Sequence, residues 1–144
     1  MFSGCFVHSV DEKNRISLPA RFRREISVPF VLTKGPDGCL WALDSAQWQI
    51  VLSRAGQSTA VQRFFVASAV ECVPGPNGRC LLPDDLRKHA DIKPGDEVAI
   101  VGLANRIEIW SLRRWRAACS QVTSERLQQE LPELFGLPAR PSSG

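Results

Sequence analysis

No apolar run in this 144-residue chain approaches the roughly 18 residues needed to cross a bilayer. The N-terminus also lacks a basic stretch followed by an apolar core, the mark of a secretory signal. These two absences predict a cytoplasmic protein with no membrane partner. There is no Cys-x-x-Cys pair. The five cysteines stand at 5, 39, 72, 80 and 119, and neither His8 nor His89 has a second plausible ligand nearby in sequence. A zinc site or disulfide framework is thereby disfavoured, and buried, reduced thiols are expected. Catalytic constellations are missing too: no Cys/His pairing, paired-carboxylate motif, phosphate loop or Gly-x-Gly-x-x-Gly is present, and Gly95 and Gly102 are expected in turns. No enzyme activity, cofactor, metal or small-molecule substrate is therefore expected.

What is present reads as one compact globular domain: 44% of residues are hydrophobic and 23% charged. The formal net charge of +3 permits contact with a polyanion without requiring it. Arginine is more informative by its placement. Lys13, Arg15, Arg21, Arg23 and Arg24 lie in one short stretch, and Arg106, Arg113, Arg114 and Arg116 in another.

An internal repeat organises the chain. The segment from Asn14 to Arg23 matches that from Gly78 to Arg87 at an offset of 64, so that Arg, Leu, Pro, an apolar residue and Arg recur in register. Further on, Leu40, Ala42, Leu43 and Trp48 correspond to Ile107, Ile109, Trp110 and Trp115 at an offset of 67, which places a three-residue length difference between the two blocks. A unit of about 50 residues buries too little surface to be comfortable alone, so the two copies are expected to share one core. The boundaries read as 1–56 for the first copy, 57–68 for a linker helix, 69–120 for the second copy, and 121–144 for a C-terminal helix and frayed tail containing Pro132, Pro138 and Pro141.

Each copy carries the same local signals. Phe6, His8 and Val10 alternate with Val7 and Ser9 before a polar turn from Asp11 to Asn14, and Ile16 and Leu18 alternate before Pro19. In the second copy Ala69, Glu71 and Val73 lead into the turn Pro74 to Gly78, followed by Cys80 to Leu82 and Pro83. Each proline is placed at a first helical position, with Asp84 and Asp85 favourably near a helix N-terminus. A second hairpin follows in each copy, across Gly35 to Gly38 and across Gly102 to Asn105. Ser45 and Ser111 read as N-caps, and further helices are expected at Ser58 to Ala67 and Thr123 to Glu130. The four tryptophans read as core or subunit-interface residues, and Arg113, Arg114 and Arg116 as a solvent-facing helix surface, one of them answered by Glu108.

Met1-Phe2 with Gly4, Asp11-Glu12-Lys13-Asn14-Arg15, Arg21-Phe22-Arg23, Arg79 with Leu82-Pro83, and Ile107-Glu108-Ile109-Trp110, in this order over about residues 1–120, resemble the MraZ family. That family is a tandem member of the swapped-hairpin SpoVT/AbrB group. The resemblance implies an α+β fold, mainly β with short helices, of two tandem AbrB-like swapped-hairpin β-barrel units in a pseudo-twofold arrangement, plus a C-terminal helix. It also implies a transcriptional regulator of the division and cell-wall gene cluster, bound to repeated promoter boxes as a ring-like homo-oligomer on the nucleoid. The family hallmark is Asp-x-x-x-Arg in each copy. The first copy keeps it as Asp11 and Arg15; the second has Gly75 where Asp is expected and retains Arg79.

Chemically, a tight turn between two short strands makes a blunt tip, and a two-stranded ribbon fits the major groove of B-DNA, about 12 Å wide. Arg15 and Arg79 suit guanine O6 and N7, or phosphates. Asn14 and Asn77 suit adenine or serve as turn formers. Lys13, Arg21, Arg23 and Arg24, with Arg87 and Lys88 in the second copy, supply phosphate contacts that position the tip. Asp11 is expected to orient Arg15 through a charge-assisted hydrogen bond, with Gly75 leaving Arg79 less restrained. The competing reading makes Asp11 and Arg15 a brace for the turn, and Arg21, Arg23 and Arg24 a solvated helix face. A different function class is an antitoxin-like module whose segment from about Ser120, with Leu127, Leu131, Leu134, Phe135 and Leu137, captures a protein partner; a ring with no nucleic-acid role is a third.

Overall fold

A computed structural model describes residues 1–136 and 138. The tail expectations at Leu137, Pro141 and Ser142-Ser143-Gly144 lie outside the described residues. The chain divides at Leu112: Met1–Leu112 is one compact unit, and the remainder is a second.

The first unit runs β1 (Phe2–Ser9), β2 (Arg15–Ser17), α1 (Ala20–Glu25), β3 (Phe30–Gly35), a 3-10 turn (Pro36–Gly38), β4 (Cys39–Leu43), α2 (Ser45–Ala55) and α3 (Thr59–Val61), which continues into a π turn (Gln62–Val66). Then follow β5 (Val70–Cys72), a 3-10 turn (Pro76–Gly78), β6 (Arg79–Leu81), α4 (Asp84–Ala90), β7 (Glu97–Ala104) and β8 (Ile107–Ser111). Beyond Leu112 lie most of α5 (Leu112–Ser120), α6 (Ser124–Glu130) and a 3-10 turn (Pro132–Phe135) in place of the frayed start expected at Pro132.

Six strands form one antiparallel sheet in the order β1-β7-β8-β4-β3-β5, and β2 pairs with β6 in a separate ribbon. The order is symmetric about the β8–β4 junction. The first strand of each copy pairs with the third strand of the other, β1 with β7 and β5 with β3. This exchange is the swap implied by the resemblance. Sheet hydrogen bonding does not close into a barrel, because β1 and β5 remain terminal strands.

Strand register locates the pseudo-twofold axis. In the ribbon Ile16 faces Cys80, its own counterpart at the offset of 64, and in the sheet Trp41 faces Glu108, its counterpart at 67. An axis relating the copies must pass through both pairs. The length difference has two parts. His8 pairs with Val98 and Cys72 with Phe30, so the offset rises to 68 at β3 and β7, then falls by one across the hairpin to β4 and β8.

The core explains why neither copy stands alone. Ile16, Leu18 and Phe22 from the first copy and Cys80, Leu82 and Leu86 from the second are buried in one cluster with Leu32, Leu40, Ile100, Ile107 and Ile109. The pseudo-dyad strand β8 is buried along its whole length, which puts Glu108 inside. Its carboxylate is satisfied there: Arg106 donates to Oε2 from Nε at 3.0 Å, and Trp110 Nε1 donates to Oε1 at 2.9 Å. The Arg106 guanidinium also lies 4.4 Å above the Trp41 ring. Glu108 is thus held by Arg106, a partner the sequence reading did not name.

Other local expectations shift. Pro19 and Pro83 are extended N-caps, one residue ahead of their helices, and Asp44 caps α2 in place of Ser45 by accepting from Gln47 N. Gly102 is in β7, paired with Gly4 of β1, where a Cβ would strike the β1 backbone at Phe2 and Ser3. Close strand approach, and not a turn, demands glycine there. Among the cysteines Cys39 and Cys80 are buried and Cys72 is half-buried, but Cys5 and Cys119 are exposed. Burial holds the Cys39 thiol up at about 12.

Candidate nucleic-acid interface

Two turns with the same hydrogen-bond frame flank the β2–β6 ribbon. In the first, Asn14 N donates to Asp11 O at 3.0 Å and Asp11 N to Arg15 O at 2.9 Å; in the second, Gly78 N donates to Gly75 O at 3.1 Å and Gly75 N to Arg79 O at 2.9 Å. Gly75 therefore occupies the backbone place of Asp11 without its carboxylate. Asn14, Asn77 and Gly78 take positive φ of 61°, 61° and 71°, the left-handed conformation that Asn and Gly tolerate best. Both asparagines are turn formers.

The ribbon differs from the tip that the sequence suggests. Its strands are not joined by either turn: each copy contributes one strand, and the turns sit at opposite ends because the pairing is antiparallel. Backbone bonds Leu18 N to Gly78 O at 3.0 Å and Leu82 N to Asn14 O at 2.9 Å tie each strand to the opposite turn. Alternation decides which side chains face out. Ile16 and Cys80 point into the core, so Arg15, Ser17, Arg79 and Leu81 share the outer face, with Arg15 opposite Leu81 and Ser17 opposite Arg79.

Both arginines converge on one carboxylate. Asp11 Oδ1 accepts from the backbone N–H groups of Lys13 and Arg15 at 2.9 Å each, and Oδ2 accepts from Arg15 Nε at 2.9 Å. Arg79 Nη1 stands 3.9 Å from the same Oδ2. The second arginine, expected to be without a carboxylate, is thus steered by the first copy's Asp11, though more loosely than Arg15. Two guanidiniums around one carboxylate leave the face net positive. A cleft of about 430 Å³ opens between them, lined also by Val73, Gly75, Pro76, Asn77 and Leu81.

The remaining predicted residues divide. Lys13, Arg21, Arg23, Arg24 and Lys88 are exposed. Arg21 Nη2 donates to Ser3 Oγ at 2.8 Å, and the Arg23 side chain covers Gly78 so closely that a Cβ there would displace it. The α1 arginine of one copy therefore packs on the turn of the other. Arg87 is engaged internally, donating from Nε to Leu82 O at 3.2 Å and pairing with Asp84, and does not join the ribbon face. Sequence reasoning missed Val73 and Leu81, which are 68% and 59% exposed. Alternation from buried Cys80 was the signal that would have placed Leu81 outward.

A family model described as "MraZ protein, putative antitoxin-like" matches residues 1–66 and again 64–136. The chain belongs to the MraZ family. Among its relatives, the "Transcriptional regulator MraZ" of Moorella thermoacetica is 39% identical, the alignment covering 87% of this chain and 91% of that protein. That of Caldicellulosiruptor saccharolyticus is 36% identical over 93% and 99%, and that of Pediococcus pentosaceus 38% over 85% and 89%. The two matched segments of the MraZ family model follow the two structural copies, with their boundary in the α3 and π-turn region. Among the described residues no helix is long and apolar enough to cross a membrane, and no cluster of three or more His, Cys, Asp or Glu is arranged to hold a metal.

The surviving MraZ-type aspartate has a measurable signature. The Arg15 backbone N–H, aided by the Arg15 guanidinium and the Lys13 N–H against partial desolvation, holds the Asp11 carboxyl below its ordinary value of 3.8. A depressed folded value gives stability that is complete above the unfolded value and is lost as the pH falls through the folded one. Asp11→Asn is therefore expected to lower the thermal midpoint near neutral pH, with the deficit shrinking once the pH drops below 3.8. A deficit constant from pH 7 to acid would show that the charge contributes nothing.

Proposed function

We propose that this protein is a sequence-specific DNA-binding transcriptional regulator, acting as a repressor of the division and cell-wall gene cluster. It binds repeated promoter boxes as a ring-like homo-oligomer in the cytoplasm, on the nucleoid. One observation carries the reading: Arg15 and Arg79, one from each copy, share the outer face of a two-stranded ribbon and converge on a single orienting carboxylate. A ribbon of this kind fits the major groove, and a guanidinium fork matches guanine O6 and N7. Exposed Lys13, Arg21, Arg24 and Lys88 supply phosphate contacts that carry no sequence information, with Arg23 beside the second turn. The name shared by its family relatives, transcriptional regulator, supports the same class.

One ribbon offers few base contacts, so discrimination needs several protomers on boxes spaced near one helical turn, about 10 bp. The test is a titration of the DNA upstream of the protein's own gene, at several salt concentrations, with wild type and Arg15→Ala. Cooperative binding that falls steeply with salt and weakens in the variant supports the reading. Weak binding, indifferent to sequence and to Arg15, contradicts it. That result would favour the antitoxin-like module, for which the exposed Leu127, Leu131, Leu134 and Phe135 offer an apolar surface to a protein partner.

A further inference from the structure

Leu81 is the apolar member of the ribbon's outward-facing set, beside Arg15, Ser17 and Arg79. It is 59% exposed, alternates outward from the buried Cys80, pairs across the ribbon with Arg15, and lines the cleft between Arg15 and Arg79 together with Val73. Its counterpart in the first copy is Ser17, so the symmetry of the fold does not require leucine there. Burial does not require it either: the core beneath the ribbon is filled by Ile16 and Cys80. An exposed leucine alone has no meaning. One set between two guanidiniums on a groove-sized ribbon matches a surface that is anionic at its walls and carries methyl groups on its floor. In the major groove that methyl belongs to thymine C5.

We infer that Leu81 is a specificity-determining residue, selecting a thymine by contact with its C5-methyl group beside the base addressed by Arg15. The inference rests on the DNA-binding reading above. Directly opposed side chains in an antiparallel pair are about 5 Å apart at Cβ. Base pairs rise about 3.4 Å, so Arg15 and Leu81 address positions one or two base pairs apart. The ribbon is therefore asymmetric in what it reads: Leu81 contributes an apolar contact at one end, and Ser17 a hydroxyl at the other.

The test uses the full chain and the tightest-bound upstream duplex, with each thymine replaced in turn by deoxyuridine, which removes only the C5-methyl. Wild type is expected to lose roughly three- to tenfold in affinity at one thymine position per box, a modest share of a good base contact. Leu81→Ala is expected to bind the unmodified duplex more weakly by a similar factor and to be indifferent to uracil at that position. The sensitive thymine should lie within two base pairs of the base whose substitution Arg15→Ala tolerates. Wild-type binding that is specific yet unaffected by every replacement overturns the role of Leu81 and leaves the regulator reading intact, as does a Leu81→Ala protein that still prefers thymine to uracil. No specific binding by wild type overturns both. Because Leu81 is exposed, the variant's thermal midpoint should match wild type, which separates lost contact from lost fold.

Discussion

Replacing Arg15 and Arg79 together by alanine is expected to remove specific DNA binding while leaving the fold intact. Both side chains are partly exposed, at 34% and 46% for Arg15 and Arg79, and ion pairs of this kind contribute only about 0–1 kcal/mol to stability. Each bidentate arginine–base contact is worth about 1–3 kcal/mol of discrimination, so the pair accounts for about 2–6 kcal/mol, roughly 30-fold to 10⁴-fold. Residual binding should be carried by Lys13, Arg21, Arg24 and Lys88, keeping at most the small thymine preference of Leu81. The single variants should rank. Arg15 is held at 2.9 Å by Asp11 and loses more when removed; Arg79, at 3.9 Å from the same oxygen, loses less. Equal losses would mean that Asp11 orients neither. Anisotropy titrations at one fixed salt concentration, with a scrambled duplex as reference, read all of these quantities.

Phe22→Ala has the largest effect expected on stability. Phe22 is fully buried in α1, and its ring is met edge-on by Phe2 at 5.7 Å and Phe6 at 5.3 Å. Both partners lie on β1, the strand exchanged onto β7 of the other copy. The phenylalanine therefore fastens the swap as well as filling the core. Truncation of a buried phenylalanine costs about 3–5 kcal/mol, against a total stability of about 5–15 kcal/mol for a domain. Leu86→Ala, its counterpart in α4, should cost about 2–5 kcal/mol. Urea unfolding followed by tryptophan fluorescence gives both values. A loss under about 1 kcal/mol for Phe22→Ala would mean that the core refills around the gap, and would contradict the packing described.

Much of the fold was legible in the chain, and the reason is physical. Two copies at offsets of 64 to 68, strands that stop just ahead of Pro19 and Pro83, and half-buried alternation are features that periodicity and turn chemistry reveal to within a residue or two. Partner choice was not legible from periodicity. Nothing local in Phe6-Val7-His8 or Val70-Glu71-Cys72 states that these segments pair with the other copy's third strand; the exchange came from the family resemblance. For the same reason the turns were read as the ends of a hairpin tip, when the ribbon joins one strand from each copy. Gly102 reads as a turn residue because glycine marks both turns and close approaches, and only the β1 backbone against it tells them apart. The site was half legible. Asp11 and Arg15 are four residues apart and find each other locally. Arg79 meeting Asp11 and Arg23 covering Gly78 depend on pairing across the pseudo-dyad, whereas Arg87 turns inward onto Leu82 and Asp84 of its own copy and Leu81 faces outward by simple alternation from Cys80.

The most direct measurement of the central claim, that DNA is engaged by the outer face of the β2–β6 ribbon, is amide hydrogen exchange of the full chain with and without the tightest-bound duplex. DNA-dependent protection is expected at the two turns and the ribbon, from Lys13 to Ser17 and from Asn77 to Leu81, with the pseudo-dyad strands β4 and β8 unchanged. Protection that leaves both turns untouched and appears along β5 or α2 would contradict it.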